Sequence, residues 1–285
     1  MISSPCRITR NTLLSASFLT TVALLSPAAL RSAYAGGALP SGGHYVAGQG
    51  SIAGGRTGTT VNQASTTGIV DWNSFAIGRS NSVTFDNGSG ATLNRVTGGN
   101  ISLIAGSLKA TGSLYLMNTQ GVIIDRSGHV LTGGSFVAAT STSGLMNRTA
   151  AVGNIRNAGT INAATVGLLG RDVTNTGTIV VNRGGQIWLT SSNATSISGS
   201  LSADNATGAA GTIVATGRAV FVGAHAKVSA NGLTGGTILI GGDIHGGAIA
   251  ADNFANRHLR MPGRRALQPA RRFRPQVHRC AAAMW

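Results

Sequence analysis

Asn157-Ala158-Gly159-Thr160-Ile161 returns eighteen residues later as Asn175-Thr176-Gly177-Thr178-Ile179. Two shorter echoes follow, Gly211-Thr212-Ile213 and Gly236-Thr237-Ile238. Self-similarity with a period of about 20 residues marks a solenoid. Each phrase is built from β-branched and turn residues, with no helical period between copies, so the repeating unit is a coil of strands. The fold class expected is therefore all-β, a single-stranded parallel β-helix. Its coils bury Ile, Leu and Val against one another, and equivalent Asn and Gly stack at corners, where left-handed backbone angles are expected. At roughly 22 residues per coil the body makes about ten coils, a rod of about 50 Å. A flat β-sandwich is the rival, but a sandwich does not require the phrase to recur.

The same alternation fills the rest of the body. Ile101–Ile104, Ser113–Met117, Gly121–Ile124, Ser135–Ala138, Gly185–Leu189 and Ala219–Val222 are short strand-like runs separated by Gly, Asn or Ser turns. Residues 36–256 contain no Glu and only two Lys (Lys109, Lys227), so strong helix formers are scarce. Residues 38–80, with the large apolar surface of Trp72 and Phe75, are the candidate cap for the first coil. Thr237–Ile240 is the last regular strand and is expected to present an open edge.

Both ends differ from the body. Arg7 and Arg10 precede the uncharged run Leu13–Leu25, and the segment closes on Ala33-Tyr34-Ala35. A charged start, a short apolar stretch and a small-x-small ending define a signal peptide with cleavage expected after Ala35, a substrate for the Sec export machinery. The apolar run is short of the about 20 residues that span a bilayer. The overall charge of +15 suggests nucleic acid, but it is concentrated at the ends. Residues 257–285 hold eight Arg and no acid, whereas the body sets eleven basic residues against seven Asp, so no nucleic-acid partner is expected. The tail, with Pro262, Pro269 and Pro275, has no strand period. It reads as unstructured, either a basic arm or an out-of-frame extension of a truncated protein. The domain division is thus 1–35, 36–256 and 257–285. The two cysteines, Cys6 and Cys280, lie outside the body and leave no disulfide framework.

Four ordered motifs carry a resemblance. Leu39-Pro40-Ser41-Gly42-Gly43 with Val46-Ala47-Gly48-Gln49-Gly50 comes first, then Ile69-Val70-Asp71-Trp72-Asn73-Ser74-Phe75-Ala76-Ile77-Gly78. Leu93-Asn94-Arg95-Val96-Thr97-Gly98-Gly99 follows, and then Ile104–Leu108 with Gly112–Asn118. The body resembles the N-terminal two-partner-secretion domain of filamentous-haemagglutinin-like exoproteins. That resemblance implies a right-handed β-helix that is secreted or displayed at the cell surface by way of the periplasm. The partner it implies is an outer-membrane pore whose periplasmic domains recognise the chain in extended form. It also implies an adhesin-like passenger beyond the domain that meets host cell surfaces or glycans. Leu93, Asn94 and Arg95 are the first candidate transporter-recognition residues. Asn118, Thr119, Gln120 and Gly121 are the second, at the place of the family's Asn-Pro-Asn-Gly turn. Here the proline is absent, but Asn and Gly keep the turn chemistry. As plain structure, the same four residues are a coil corner.

The alternative is a β-helix that binds or cleaves polysaccharide. That chemistry needs carboxylates clustered on one face. The seven Asp are instead scattered singly, and Asp125 reads as a surface or turn residue. His44, His129, His225 and His245 lack metal-ligand spacing, and Gly241–Gly246 is a single glycine-rich loop. No catalytic residue, cofactor or metal is expected.

Overall fold

The computed structural model describes residues 38–141 and 152–241. The proposed signal peptide with Ala33 and Ala35, the 257–285 tail, and Asp243, His245 and Asp252 lie outside the described residues. Within them the chain forms twenty-four strands and no helix. It opens with β1 (His44–Ala47) and β2 (Gly50–Gly54). Strand β2 pairs antiparallel with β3 (Gly58–Gln63), and β1 pairs antiparallel with β4 (Thr67–Trp72). Every later pairing between strands is parallel, from one coil to the next.

Three faces result. On the first, β3 is followed by β5 (Ser82–Asp86), β8 (Ser107–Ala110) and β11 (His129–Thr132). It continues through the first parts of β14 (Thr160–Gly170) and β16 (Thr178–Ser191) to β18 (Ser200–Ser202) and β22 (Lys227–Ser229). The second face stacks β4, β6 (Ala91–Val96), β9 (Ser113–Asn118) and β12 (Ser135–Ala139). The second parts of β14 and β16, then β20 (Thr212–Thr216) and β24 (Thr237–Ile240), complete it. The third consists of β7 (Ser102–Ile104), β10 (Gly121–Ile124), β13 (Asn154–Asn157), β15 (Val173–Asn175), β17 (Ala194–Ile197) and β21 (Ala219–Val222). Strands β19 (Asn205–Ala209) and β23 (Gly232–Thr234) pair with each other outside this stack.

Register holds the core together. Val83, Leu108, Val130, Ile161, Ile179 and Leu201 stand one above another on the first face, all with at most 1% exposure. Leu114, Phe136, Val166, Ile187 and Ile213 do the same on the second. Each such side chain contributes about 1.5–3 kcal/mol by burial, but only when a coil lies on both sides of it. At the open end the rows are bare: Val222, Ile238 and Ile240 stack on the wholly buried Ile197, Ile213 and Ala215 yet are 50%, 43% and 39% exposed. Among the described residues Thr237–Ile240 pairs on one side alone, with β20.

Three expectations need correction. The stack makes about seven turns rather than ten, because the opening strands go to the antiparallel cap and the coils vary in length. Phe136 pairs with Val166, thirty residues on, whereas Thr160 pairs with Thr178, eighteen on. The cap is shorter than residues 38–80. Strands β3 and β4 pair in parallel with β5 and β6 and so belong to the first coil, leaving β1 and β2 as the closure. Trp72 and Phe75 serve as core beneath it, edge to face at 5.5 Å. The corner glycines also act differently. Gly159, Gly177 and Gly199 are not among the positive-φ residues. A Cβ on Gly177 would instead run into the carbonyl oxygen of Gly159, and one on Gly199 into that of Gly177. Glycine is needed there for close approach between coils, not for a left-handed angle.

Polar groups close the interior. The wholly buried Asn157 donates from Nδ2 to Oδ1 of Asn175 at 2.8 Å, so the repeated asparagine forms a ladder inside the coil. Asp204, at the start of the β19 excursion, accepts from Ser202 and Ser229 and from the backbone N–H of Asn231. Burial pushes its carboxyl up, but those hydrogen bonds outweigh burial and hold it below the usual carboxylate range. A lowered folded value means stability present above the unfolded pKa and lost as pH falls through the folded one. Asp204→Asn is therefore expected to unfold more easily than the parent at pH 6. The gap should close below about pH 4 in urea titrations followed by circular dichroism.

Candidate recognition site

Both candidate motifs fall on neighbouring coils. Leu93, Asn94 and Arg95 lie in β6, which pairs with β9, so that Asn94 stands beside Leu116 and Val96 beside Asn118. Alternation along β6 sends Asn94 inward and Leu93 and Arg95 outward.

Asn94 is wholly buried. Its Oδ1 accepts the Trp72 indole N–H at 2.9 Å, and its Nδ2 donates to the Tyr115 carbonyl at 3.3 Å. Leu93 packs outside against Tyr115 and Val137. Arg95 grips Asp71 with both ends of its guanidinium, Nε to Oδ1 at 2.6 Å and Nη2 to Oδ2 at 2.8 Å. The hydrogen bond to Asp71 is the main reason its guanidinium is held above its ordinary pKa. With side chains 40% and 15% exposed, this bidentate pair contributes about 1 kcal/mol or less. Arg95→Ala is expected to lower the unfolding free energy from urea titration by that small amount, and 1 M salt should shrink the difference.

The second motif is a corner. Asn118 is also wholly buried. Its Nδ2 donates to the Asn100 carbonyl and to Ser102 Oγ, both at 2.9 Å. Its Oδ1 accepts the Gln120 backbone N–H at 2.9 Å, an Asx turn that sets the corner without proline. Thr119 and Gln120 form the exposed tip. Gly121 sits at φ +126°, and a Cβ there would lie 2.8 Å from the Asn154 carbonyl oxygen, so glycine is required on both counts.

Sequence reasoning missed the supporting residues. Asp71 and Trp72 lie one coil before Arg95 and Asn94 and are their partners. The spacing of 24 residues from Asp71 to Arg95 is one coil, which is the signal that could have revealed the pair. A second network, Asn87 to Thr92 and Thr92 to Gln63, joins the same coils from the other end of β6. Asp125, expected as a turn residue, occupies the turn after β10 and faces Arg79 at 3.7 Å. Among the described residues no three His, Cys, Asp or Glu approach closely enough to hold a metal. No described helix is long and apolar enough to cross a membrane.

The TPS secretion domain model matches residues 37–257, almost the whole of the coiled body. The chain belongs to the TPS secretion domain family. This secretion domain is similar to two curated proteins named heme/hemopexin-binding protein, both from Haemophilus influenzae. One is 38% identical over 100 residues, covering 34% of this chain and 11% of that protein. The other is 42% identical over 77 residues, covering 26% and 8%. The chain thus spans about a tenth of the length of the curated relatives it matches. Among solved structures, the HMW1 secretion domain from Haemophilus influenzae superposes with a TM-score of 0.52 at 23% identity, covering 73% of this chain and 78% of that one. That likeness supports the fold, a β-helix, and the family assigns the role, the secretion domain of a two-partner-secretion exoprotein. Membership in the family implies recognition by an outer-membrane transporter.

Proposed function

We propose that the TPS domain is read by the periplasmic domains of its transporter before it folds, with Leu93–Arg95 and Asn118–Gly121 as the residues read. The carrying observation is that Asn94 and Asn118 have no exposed surface once the coils close, with their amide groups engaged inside. A transporter can contact those amides only while the chain is extended. Folding then withdraws the signal, and the burial of coil on coil gives the exported chain a reason not to return. Arg7–Ala35 directs the chain to the periplasm through the Sec machinery, and N-terminal sequencing of exported protein is expected to begin at Gly36. The mature protein is secreted or held at the cell surface and works by adhesion rather than catalysis, through a passenger beyond the domain that meets host surfaces or glycans. The domain itself needs no cofactor and no nucleic acid.

The test is binding of the transporter's periplasmic domains to this chain in two states. Chain diluted from urea is expected to bind at once and to lose binding as β-rich circular dichroism develops. Equal binding by chain folded beforehand would remove the reading.

A further inference from the structure

We propose that the corner between the third and first faces is a binding site for a linear acidic polysaccharide, lying along the helix axis. This inference is independent of the secretion reading.

A cleft of about 420 Å³ runs along that corner, within the range of ligand-binding clefts. Its floor is made by the close-packed glycines Gly159, Gly177 and Gly199, which bring the backbones of successive coils together and leave no side chain to fill the trough. One wall is a register row on the first face: Thr160, Thr178, Ser200 and Lys227 stand one per coil. The hydroxyls of Thr160, Thr178 and Ser200 point from half-exposed positions and have no hydrogen-bond partner among the described residues. Cations close both ends: Arg126 sits in the turn before β11, and Lys227 opens β22, with the His225 imidazole in the turn before it. Four coil steps separate the two turns, about 19 Å at the strand spacing. Among the described residues no carboxylate lines the cleft, and the one in the adjoining turn, Asp125, faces Arg79 at 3.7 Å.

The charge selects an anion, and the separation of the cations selects one that is extended. The regular wall selects the chemistry. Unpartnered hydroxyls recur once per coil, about 4.8 Å apart, a spacing close to the length of one sugar ring along a glycan chain. A peptide strand finds less here. The backbone N–H groups along the wall are already used between coils: Thr160 to Gly128, Thr178 to Gly159, Ser200 to Gly177 and Lys227 to Gly199. An acidic peptide could therefore engage the cations but could not pair its backbone. Among the described residues no aromatic ring lines the cleft, so a neutral glycan would have neither stacking nor charge to hold it.

The experiment is titration calorimetry of the folded full chain with polygalacturonate in low salt. Binding to polygalacturonate and not to neutral dextran is expected. Arg126→Ala combined with Lys227→Ala should weaken it at least tenfold. Arg218→Ala, which removes an exposed charge from a different corner, should leave it within twofold, and circular dichroism should show all variants folded. No binding to polygalacturonate would overturn the proposal. So would equal losses from the cleft pair and from Arg218→Ala, which would mean diffuse charge attraction. Polyglutamate binding as tightly as polygalacturonate, with the same dependence on Arg126 and Lys227, would overturn the glycan assignment in favour of an acidic peptide.

Discussion

Replacing Gly177 by valine is expected to abolish the cooperative β-rich fold, while the same replacement at Gly54 leaves it intact. Valine is a good strand residue, so propensity alone favours both changes. Space decides between them. A Cβ on Gly177 would collide with the backbone of Ala158 and Gly159 in the coil below, whereas one on Gly54 would meet nothing within 4 Å. Overpacking costs about 1–3 kcal/mol when side chains can yield. Here the obstacle is main chain held by the Thr178 N–H to Gly159 carbonyl bond at 2.9 Å, so the coils must separate. Separation also strips Ile161 and Ile179 of their contact and breaks the Asn157–Asn175 rung. In a stack stabilised by nearest-neighbour interfaces, the loss at one interface comes from a total of about 5–15 kcal/mol. The measurement is a urea titration followed at the β-sheet band. A Gly177→Val protein with the parent's midpoint would show that the corner column has room to spare.

The second large effect is expected on secretion. Asn94→Ala with Asn118→Ala should leave export to the periplasm intact and reduce secreted protein to a small fraction. The same pair also weakens the fold. Removing Asn94 orphans the buried Trp72 indole N–H, and removing Asn118 takes the partner from the buried Ser102 hydroxyl, at about 1–3 kcal/mol for each buried group left unpaired. Stability and recognition are separated by Trp72→Phe, which deletes the donor and keeps both asparagines. If recognition precedes folding as proposed, secretion should survive Trp72→Phe at a comparable loss of stability. Normal secretion by the asparagine pair would return both residues to a purely structural role.

The repeat was the most legible feature. A phrase that recurs can stack on itself, and Asn157 and Asn175 do so, as do Ile161 and Ile179. Strand runs such as Ser113–Met117 and Gly121–Ile124 reappear as β9 and β10 because their alternation and their turn residues are local properties. The number of coils was not legible, because a coil can lengthen at a corner, as with β19 and β23, without disturbing the rows on either side. The candidate site was half legible. Order and residue type marked Leu93–Arg95 and Asn118–Gly121, but not that Asp71, Trp72 and Ser102 are their partners.

Sequence by itself determined that the body of this chain is built of strands, that it repeats, that it is nearly free of strong helix formers and that the charge gathers at the ends. Those are statements about composition and period, which act over a few residues at a time. Only the tertiary structure decided which way each side chain faces and what it meets. Asn94 and Arg95 are neighbours in the chain, yet one is sealed in the core and the other clasps Asp71 outside, because a strand turns successive residues to opposite faces and only the coil determines which face is inside. Gly177 has the same cause: nothing in its own φ demands glycine, and the demand comes from Gly159 in the coil below, brought there by stacking.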